Sequence, residues 1–363
     1  MEEDIKLETY KTLSVQKRQF KNININDPFF DSLKNDYPEF KEWFARKSEK
    51  EAYVLTCDDK LLAFLFLKIE TTAERYDDII PSFPPKRRLK VGTFKVSLNG
   101  QRLGERFFKI IFDNAVVNNV DEIYVTIFNH TEDQKHLISM LKEWGFYEHG
   151  TNSRGEKVFA RMLYKRFDRE NPKNSYPVLD ITNNVYITPI YPEFHTDLFP
   201  DSILNTESPI DYVENDPHRN AIEKIFISKS VERNLNIGDS IFFYRTKEKD
   251  KSAHYSAVVT TVGLITEIIK DITDENKFIE LCKNRTVFTE FQLRNYWRRS
   301  SPKPFLVKFL HIESLKKRPN RKILIDENFP SMCNGPRGFV KLTEYEIEKL
   351  IELSQFDKRK IAR

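Results

Sequence analysis

The sequence predicts an α+β protein of two domains: a mixed sheet with helices over residues 1–168, a linker at 169–177, and a small, partly open β-barrel with peripheral helices over 178–363. Three observations predict it. The length of 363 residues suits two hydrophobic cores at about 150 residues each. Strand and helix patterns alternate before residue 168 and give way to short strands afterwards. Between them, Asp168-Arg169-Glu170-Asn171-Pro172-Lys173-Asn174-Ser175, with Pro177 beyond, is a polar break. Pro there lacks a backbone donor, and Asn and Ser compete for local hydrogen bonds.

In the first domain, Asp27-Pro28 supplies an N-cap and a first helical position, with Phe29, Phe30 and Leu33 following. A second short helix carries Phe40, Trp43 and Phe44. Residues 52–55 and 61–69 read as strands joined at the turn Asp58-Asp59-Lys60, and Pro81, Pro84 and Pro85 mark a loop. Residues 89–98 set Leu89, Val91 and Thr93 against Gly92, Phe94, Val96 and Leu98, a strand covered on both faces. Asn99-Gly100-Gln101-Arg102-Leu103-Gly104 then opens a helix whose Leu103, Phe107, Ile110, Ile111 and Val117 keep the helical period. After a strand at 122–128, Thr131-Glu132-Asp133-Gln134 is a capping box for a helix with Leu137, Met140, Leu141 and Trp144 on one face. Gly145-Phe146 ends that helix, and residues 158–167 form a final strand.

In the second domain, strands fall at 185–190, 240–245, 255–265 and 305–309. Capping boxes at Thr289-Glu290-Phe291-Gln292 and Thr343-Glu344-Tyr345-Glu346 start two helices. Several strands with helices at the margins suit a partly open barrel.

Composition excludes several classes. The longest apolar run, residues 61–67, is far short of the roughly 20 residues that span a bilayer. The start Met1-Glu2-Glu3-Asp4 is acidic where a secretory signal is basic and then apolar. Cys57, Cys282 and Cys333 form neither a ligand pair nor a disulfide framework. A soluble, cytoplasmic protein without membrane partners is the expectation. No His-Glu-x-x-His, no Gly-x-Ser-x-Gly elbow and no metal-like His/Cys/Asp cluster is present, and His130 and His136 lack the spacing of a ligand pair, so no metal is expected.

The formal charge is only +4, from 59 basic and 55 acidic residues, so placement matters more than sum. Arg294, Arg298, Arg299, Lys303 and Lys308 precede Lys316-Lys317-Arg318 and Arg321-Lys322, with Phe291, Tyr296 and Trp297 interleaved. Cations displace phosphate counterions and aromatic faces stack bases, so this region suits either a nucleic acid or plain solvation.

A strand running through a glycine-containing loop into a helix start makes a phosphate cradle, because the amides of the first helical turn lack partners. Gly100 and Gly104 fit this, while the absence of Gly-Lys-Ser/Thr excludes a P-loop and the missing three-glycine spacing disfavours a dinucleotide fold. Taken with Gly145-Phe146 one strand later, residues 25–167 resemble the GNAT family of N-acetyltransferases. There an Arg/Gln-x-x-Gly-x-Gly/Ala loop holds the diphosphate of acetyl-CoA. Asn99 stands where the family prefers Arg or Gln, Arg102 where it prefers Gly, and Gly104 fits the last position.

The resemblance implies an acetyl-CoA cofactor, with Phe94, Lys95, Val96 and Ser97 flanking the thioester. It implies that Asn99, Gly100, Gln101, Arg102, Leu103, Gly104 and Glu105 cradle the phosphates. Leu141 occupies the position of the family's usual tyrosine acid, and Gln134 that of its helix-start asparagine. Tyr124, His130 and Tyr147 are the candidate replacement acids, each also readable as a core or surface residue.

Residues 178–355 resemble PUA-like domains of the ASCH and EVE type, through Asn236-Ile237-Gly238-Asp239 before the strand at 240–245, the strand from Ala257 to Gly263, Pro304-Phe305-Leu306-Val307-Lys308-Phe309, and Arg337-Gly338-Phe339 before the last helix. That resemblance implies contact with RNA or modified DNA, and Tyr244, Arg245, Trp297 and Arg298 are its candidate residues. Three readings follow. In one, an acetyltransferase acts on an amine of RNA, aminoacyl-tRNA or a nucleic-acid-bound protein. In another, a degenerate, non-catalytic domain supports nucleic-acid recognition. In the third, an acetyltransferase acts on proteins or small amines. The acceptor and the oligomeric state stay open.

Overall fold

A computed structural model describes residues 15–57, 60–97, 101–163, 166–204, 207 and 217–362. The described chain forms two compact units, divided between Leu163 and Tyr164.

Unit 1 holds an eight-stranded sheet of β1 (Gln16–Gln19), β2 (Glu51–Cys57), β3 (Lys60–Glu70), β4 (Ile79–Ile80), β5 (Arg88–Val96), β6 (Glu122–Ile127), β7 (Tyr147–Asn152) and β8 (Lys157–Met162). Their order is β1-β2-β3-β5-β6-β8-β7-β4. All neighbours are antiparallel except β5 and β6, which run parallel because a helical crossover joins them. Its helices are α1 (Asp31–Asp36), α2 (Phe40–Ala45), α3 (Leu103–Val117) and α4 (Glu132–Glu143).

The two faces of this sheet differ in their cover. Phe64 and Phe66 of β3 meet Phe20, Phe30, Phe40 and Phe44, an aromatic layer that seats α1 and α2. On the opposite face α3 buries Leu103, Phe107, Phe108, Ile111 and Phe112, and Phe108 and Phe112 pack against Trp144 and Phe146 beyond α4. The helical period predicts α3 well, although Val116 rather than Val117 turns inward, Val117 being exposed. The turn at Asp58-Asp59 lies outside the described residues.

The end of unit 1 differs from expectation. A hairpin, β7 and β8, stands where the sequence suggested one strand at 158–167. The polar run Tyr147-Glu148-His149-Gly150-Thr151-Asn152 carries no apolar alternation, so its pairing with β8 is set by the sheet rather than by local preference.

Unit 2 holds a six-stranded sheet of β9 (Val185–Ile190), β10 (Glu223–Ser228), β11 (Ser240–Arg245), β12 (Val258–Ile269), β13 (Phe305–Ser314) and β14 (Val340–Lys341), in the order β10-β13-β12-β11-β9-β14. No pairing between β10 and β14 closes it among the described residues. Its helices are α5 (Pro172–Ser175), α6 (Pro192–Leu198), α7 (Pro217–Asn220), α8 (Ala253–Ser256), α9 (Glu275–Cys282), α10 (Glu290–Arg299), α11 (Arg321–Asp326) and α12 (Glu344–Ser354). Phe199, Phe243 and Phe309 centre its core, with rings 4.7 and 4.9 Å apart. Both capping boxes predicted for this unit are formed, at Thr289–Gln292 and Thr343–Glu346.

The stretch 169–177, expected as a linker, is instead built into unit 2. Asn171 caps α5, and Tyr176 is fully buried with its hydroxyl donating to the His311 carbonyl at 2.9 Å. Prolines and asparagines there make a capped turn rather than a free tether. Among the described residues no cluster of three or more His, Cys, Asp or Glu could hold a metal ion, and no helix is long and apolar enough to cross a membrane.

Candidate functional site at the parting of two strands

The parallel strands β5 and β6 pair from Arg88↔Glu122 to Val91↔Val125 and no further. Yet β5 continues to Val96, paired on its other side with β3, and β6 continues to Ile127, paired with β8. The two strands therefore part in the middle of the sheet.

Gly92 is placed at the point of parting. Phe66 of β3 pairs with Thr93 while the next residue, Leu67, pairs with Val91, so Gly92 is an extra residue in β5, a β-bulge. A bulge of one residue exchanges the faces of all that follows. Phe94 thus shares the α3 face with Leu89 and Val91, its ring 5.8 Å from Phe107, while Thr93 and Lys95 turn to the α1 face. The plain alternation expected from the sequence, with Thr93 beside Leu89 and Val91, is corrected accordingly. A side chain at Gly92 would sit 2.9 Å from the Phe66 ring.

The hydrogen bonds past the bulge decide what the gap offers. The Ser97 amide donates to the Leu62 carbonyl at 2.9 Å. Antiparallel ladders alternate, so Thr93 and Lys95 also address β3, whereas the amides of Phe94 and Val96 face the side that β6 has left. Two backbone donors consequently point into an opening within the sheet.

Above this opening stands the start of α3. Arg102 is its N-cap and adopts a left-handed conformation, φ 52°, which costs a residue with a Cβ about 1 kcal/mol. Its guanidinium Nη1 donates to Glu105 at 2.7 Å, and its buried Nε has no acceptor. The Glu105 and Arg106 amides turn back onto the Arg102 carbonyl, leaving those of Leu103 and Gly104 without an acceptor among the described residues. Gly104 lets α4 approach, a Cβ there falling 2.7 Å from the Met140 methyl. Leu98, Asn99 and Gly100 lie outside the described residues, so the cradle is described from Gln101 onward.

The α1 side of the opening is polar. Lys95 donates to the Phe29 carbonyl at 2.7 Å and to Ser32 Oγ at 2.6 Å. Burial lowers its pKa, and Asp133, Asp31 and Asp36 act in the opposite sense. Gln134 of the capping box reaches Asp36 at 2.9 Å, tying α4 to α1. Tyr37 donates to Glu156 at 2.5 Å, and burial, then the Glu156 charge, pushes its phenol far up. The Tyr37 ring meets Phe128, on which the exposed His130 ring stacks at 5.1 Å.

The three candidate acids separate. His130 follows Ile127 by three residues, at the open end of β6, and its backbone is held by Gln134. Tyr124 lies at the closed end, buried, and donates to Glu70 at 2.8 Å; burial is the main cause that drives its phenol far above the usual range. Tyr147 also belongs to the closed end, donating at 3.1 Å to Glu122, which pairs with the buried Arg88 at 2.6 Å. Leu141 is buried in α4.

The four residues considered for nucleic acid do not meet on a surface. Tyr244 and Trp297 are core residues, the latter packed on Phe278 at 5.0 Å. Arg245 is buried against Glu207 at 2.9 Å, and the exposed Arg298 is taken up by Glu275 at 3.0 Å.

Sequence reasoning missed the Gly92 bulge, the left-handed Arg102 and the Tyr37–Glu156 pair. A glycine inside a strand pattern was the one signal available for the first.

No protein-family model and no curated protein matches the chain. Among solved structures, the PaiA N-acetyltransferase of Thermoplasma acidophilum, in complex with coenzyme A, is 12% identical with a TM-score of 0.29, covering 41% of this chain and 99% of that one. A GNAT-family acetyltransferase of Listeria monocytogenes is 16% identical with a TM-score of 0.29, covering 43% and 99%. The Bacillus subtilis N-acetyltransferase YlbP, in complex with coenzyme A, is 14% identical with a TM-score of 0.25, covering 41% and 97%.

Proposed function

We propose that unit 1 is an acetyl-CoA-dependent N-acetyltransferase of the GNAT type, working in the cytoplasm. The observation that carries this reading is the parting of β5 from β6 beyond Gly92, which turns the Phe94 and Val96 amides into the gap below the start of α3. The residues fit the cofactor. Amides of Leu103 and Gly104, together with the unpartnered Arg102 Nε, suit a diphosphate at a helix N-terminus. The bound cofactor supplies an activated thioester. Phe94 or Val96 N–H would donate to its carbonyl oxygen and hold the negative charge that grows there, an effect worth about 3–4 kcal/mol per donor in comparable sites.

Of the three candidate acids, His130 is the one at the open end, and we assign it the proton that the leaving sulfur takes up. Tyr124 and Tyr147 already give theirs to Glu70 and Glu122. Phe94, Lys95, Val96 and Ser97 then line the acyl end of the site, with Lys95 on the acceptor side beside α1.

Unit 2 carries the second half of the proposal: a PUA-like domain that presents RNA, aminoacyl-tRNA or a nucleic-acid-bound protein amine to unit 1. Its support is the single sheet with helices at the margins and the basic segment after α10.

Calorimetry with acetyl-CoA tests the cofactor. At a hundredfold excess over its dissociation constant it should stabilise the chain by about 2.7 kcal/mol. Absence of both heat and stabilisation rejects the proposal. Stabilisation without thiol release from any amine, in RNA, protein or small molecules, would instead favour a non-catalytic acetyl-CoA-holding domain, a reading that Leu141 in the acid position supports.

A further inference from the structure

The basic and aromatic segment around α10 is sorted by the structure into neutralised cations and unneutralised ones. Arg294 pairs with Glu275 and Glu290, Arg298 with Glu275, and Lys308 with Glu267. These offer nothing to an anion. Lys229, Arg233, Arg299 and Lys303, by contrast, have no carboxylate within ion-pair distance among the described residues. They gather at one end of α10. Lys303 Nζ donates to the Trp297 carbonyl at 2.8 Å, and Arg233 donates to the Lys303 carbonyl at 3.2 Å. Arg299 lies three residues beyond Tyr296, on the same side of the helix. Lys229 Nζ sits 4.6 Å from the Tyr296 ring centre.

The same place carries a row of half-buried rings. Tyr296 meets Phe288 at 5.9 Å, and Phe288 meets Phe194 of α6 at 4.8 Å. Tyr191, 64% exposed, stands at the N-cap of α6. Tyr296, Phe288 and Phe194 pack against the cores beneath them but stay half-buried, beside four uncompensated charges. Acidic protein partners have use for the charges alone. A single-stranded polynucleotide has use for both, since its phosphates take the cations and its unstacked bases take the ring faces.

We propose that this face of unit 2, centred on Tyr296 with Lys229, Arg233, Arg299 and Lys303, binds single-stranded nucleic acid. The inference rests on the nucleic-acid reading of unit 2 and is independent of acetyl transfer. It moves the contact away from Tyr244, Arg245 and Trp297, which are buried.

The test is fluorescence anisotropy of labelled oligouridylate and oligothymidylate with the full chain, as salt is raised. Both strands should bind better than a duplex of mixed sequence, and the two arms report any preference for RNA over DNA. With four phosphates engaged, the slope of log affinity against log salt should be about −3. Tyr296→Ala should weaken binding about 5- to 150-fold, Tyr296→Phe should keep it, and Lys229→Ala with Lys303→Ala should flatten the slope by about 1.4. Lys322→Ala, whose lysine is paired with Asp326, should change nothing. Binding that survives both Tyr296→Ala and the double lysine change, in variants that melt like the parent, overturns this surface and leaves the nucleic-acid reading standing. Absence of binding by either strand at low salt overturns both. Displacement by polyglutamate as readily as by oligonucleotide assigns the face to an acidic protein and overturns the proposal.

Discussion

Among the described residues each unit contains one pair of parallel strands, and the two pairs end differently. In unit 2, β9 and β11 stay in register over all six residues, from Val185↔Ser240 to Ile190↔Arg245. In unit 1, β5 and β6 hold register for four residues and then part at a bulge. The closed pair leaves no gap between its strands, and Thr188, Tyr244 and Arg245 on it are interior residues. The parted pair leaves donors over. Parallel strands in the middle of a sheet are normally buried and fully paired, so a parting has to be held open by something on either side of it. Here the closed end does the holding, through the buried Arg88–Glu122 pair and the Glu70 carboxylate that accepts from both Tyr76 and Tyr124.

The comparison breaks most severely if that closed end is removed. Glu122→Ala strands the buried Arg88, and loss of one partner of such a pair costs about 3–5 kcal/mol. Urea unfolding of the variant should show it. A change below 1 kcal/mol would mean that the pair does not anchor the parting.

Gly92→Val acts at the bulge itself. The new side chain meets Phe66 inside 3 Å, so overpacking of about 1–3 kcal/mol is expected. Stabilisation by acetyl-CoA should be lost along with it, as the amides of Phe94 and Val96 shift. A variant that keeps its acetyl-CoA response would separate the bulge from the site.

Mild acid sharpens the contrast from the side of unit 2. His195 of α6 is fully buried beside Thr260, 2.8 Å away, and burial, with Arg245 and Arg318 nearby, pulls its pKa down to about 3. The unfolded chain binds this proton near pH 6.5, so the stability is intact above that value and falls as pH drops from it toward 3. Between pH 7 and 5 His195 should account for a loss of about 2 kcal/mol, and His218, whose pKa burial also pulls down to about 3, for a similar one. Urea midpoints at the two pH values, with His195→Gln removing about half of the difference and leaving the share of His218, provide the check.

The smallest effect is expected at the cradle. Arg102→Gly relieves the left-handed conformation, a gain of about 1 kcal/mol, offset by loss of a partly exposed pair with Glu105 worth less than that. A slight rise in melting temperature with weaker acetyl-CoA binding would show that Arg102 is kept for the diphosphate. Unchanged binding would show that its backbone alone matters.

Much of unit 1 was legible because its signals are local. The Asp27 and Thr131 caps, the α3 stripe and the stop at Gly145, whose φ is +80°, each depend on neighbours a few residues away. The β7–β8 hairpin was not, since its first strand is polar and takes its partner from the sheet. In the site, the stretch 94–105 was singled out from the sequence, while Tyr37 and Glu156, separated by 119 positions, were not. In unit 2 four of the six strands were legible, β10 and β14 were not, and neither was the exposure of the residues around them. Trp297 and Tyr296 are adjacent and aromatic, and one is core while the other faces Lys229.

By itself the sequence determined the capped starts of several helices, some of the strands, and that a glycine-containing turn leads from a strand into an amphipathic helix. Short-range hydrogen bonds and side-chain periodicity specify those. Tertiary structure alone decided that β5 and β6 part, which amides the parting exposes, and which of the many cations go unneutralised. Each of these depends on what a distant segment brings alongside, and no local preference encodes that.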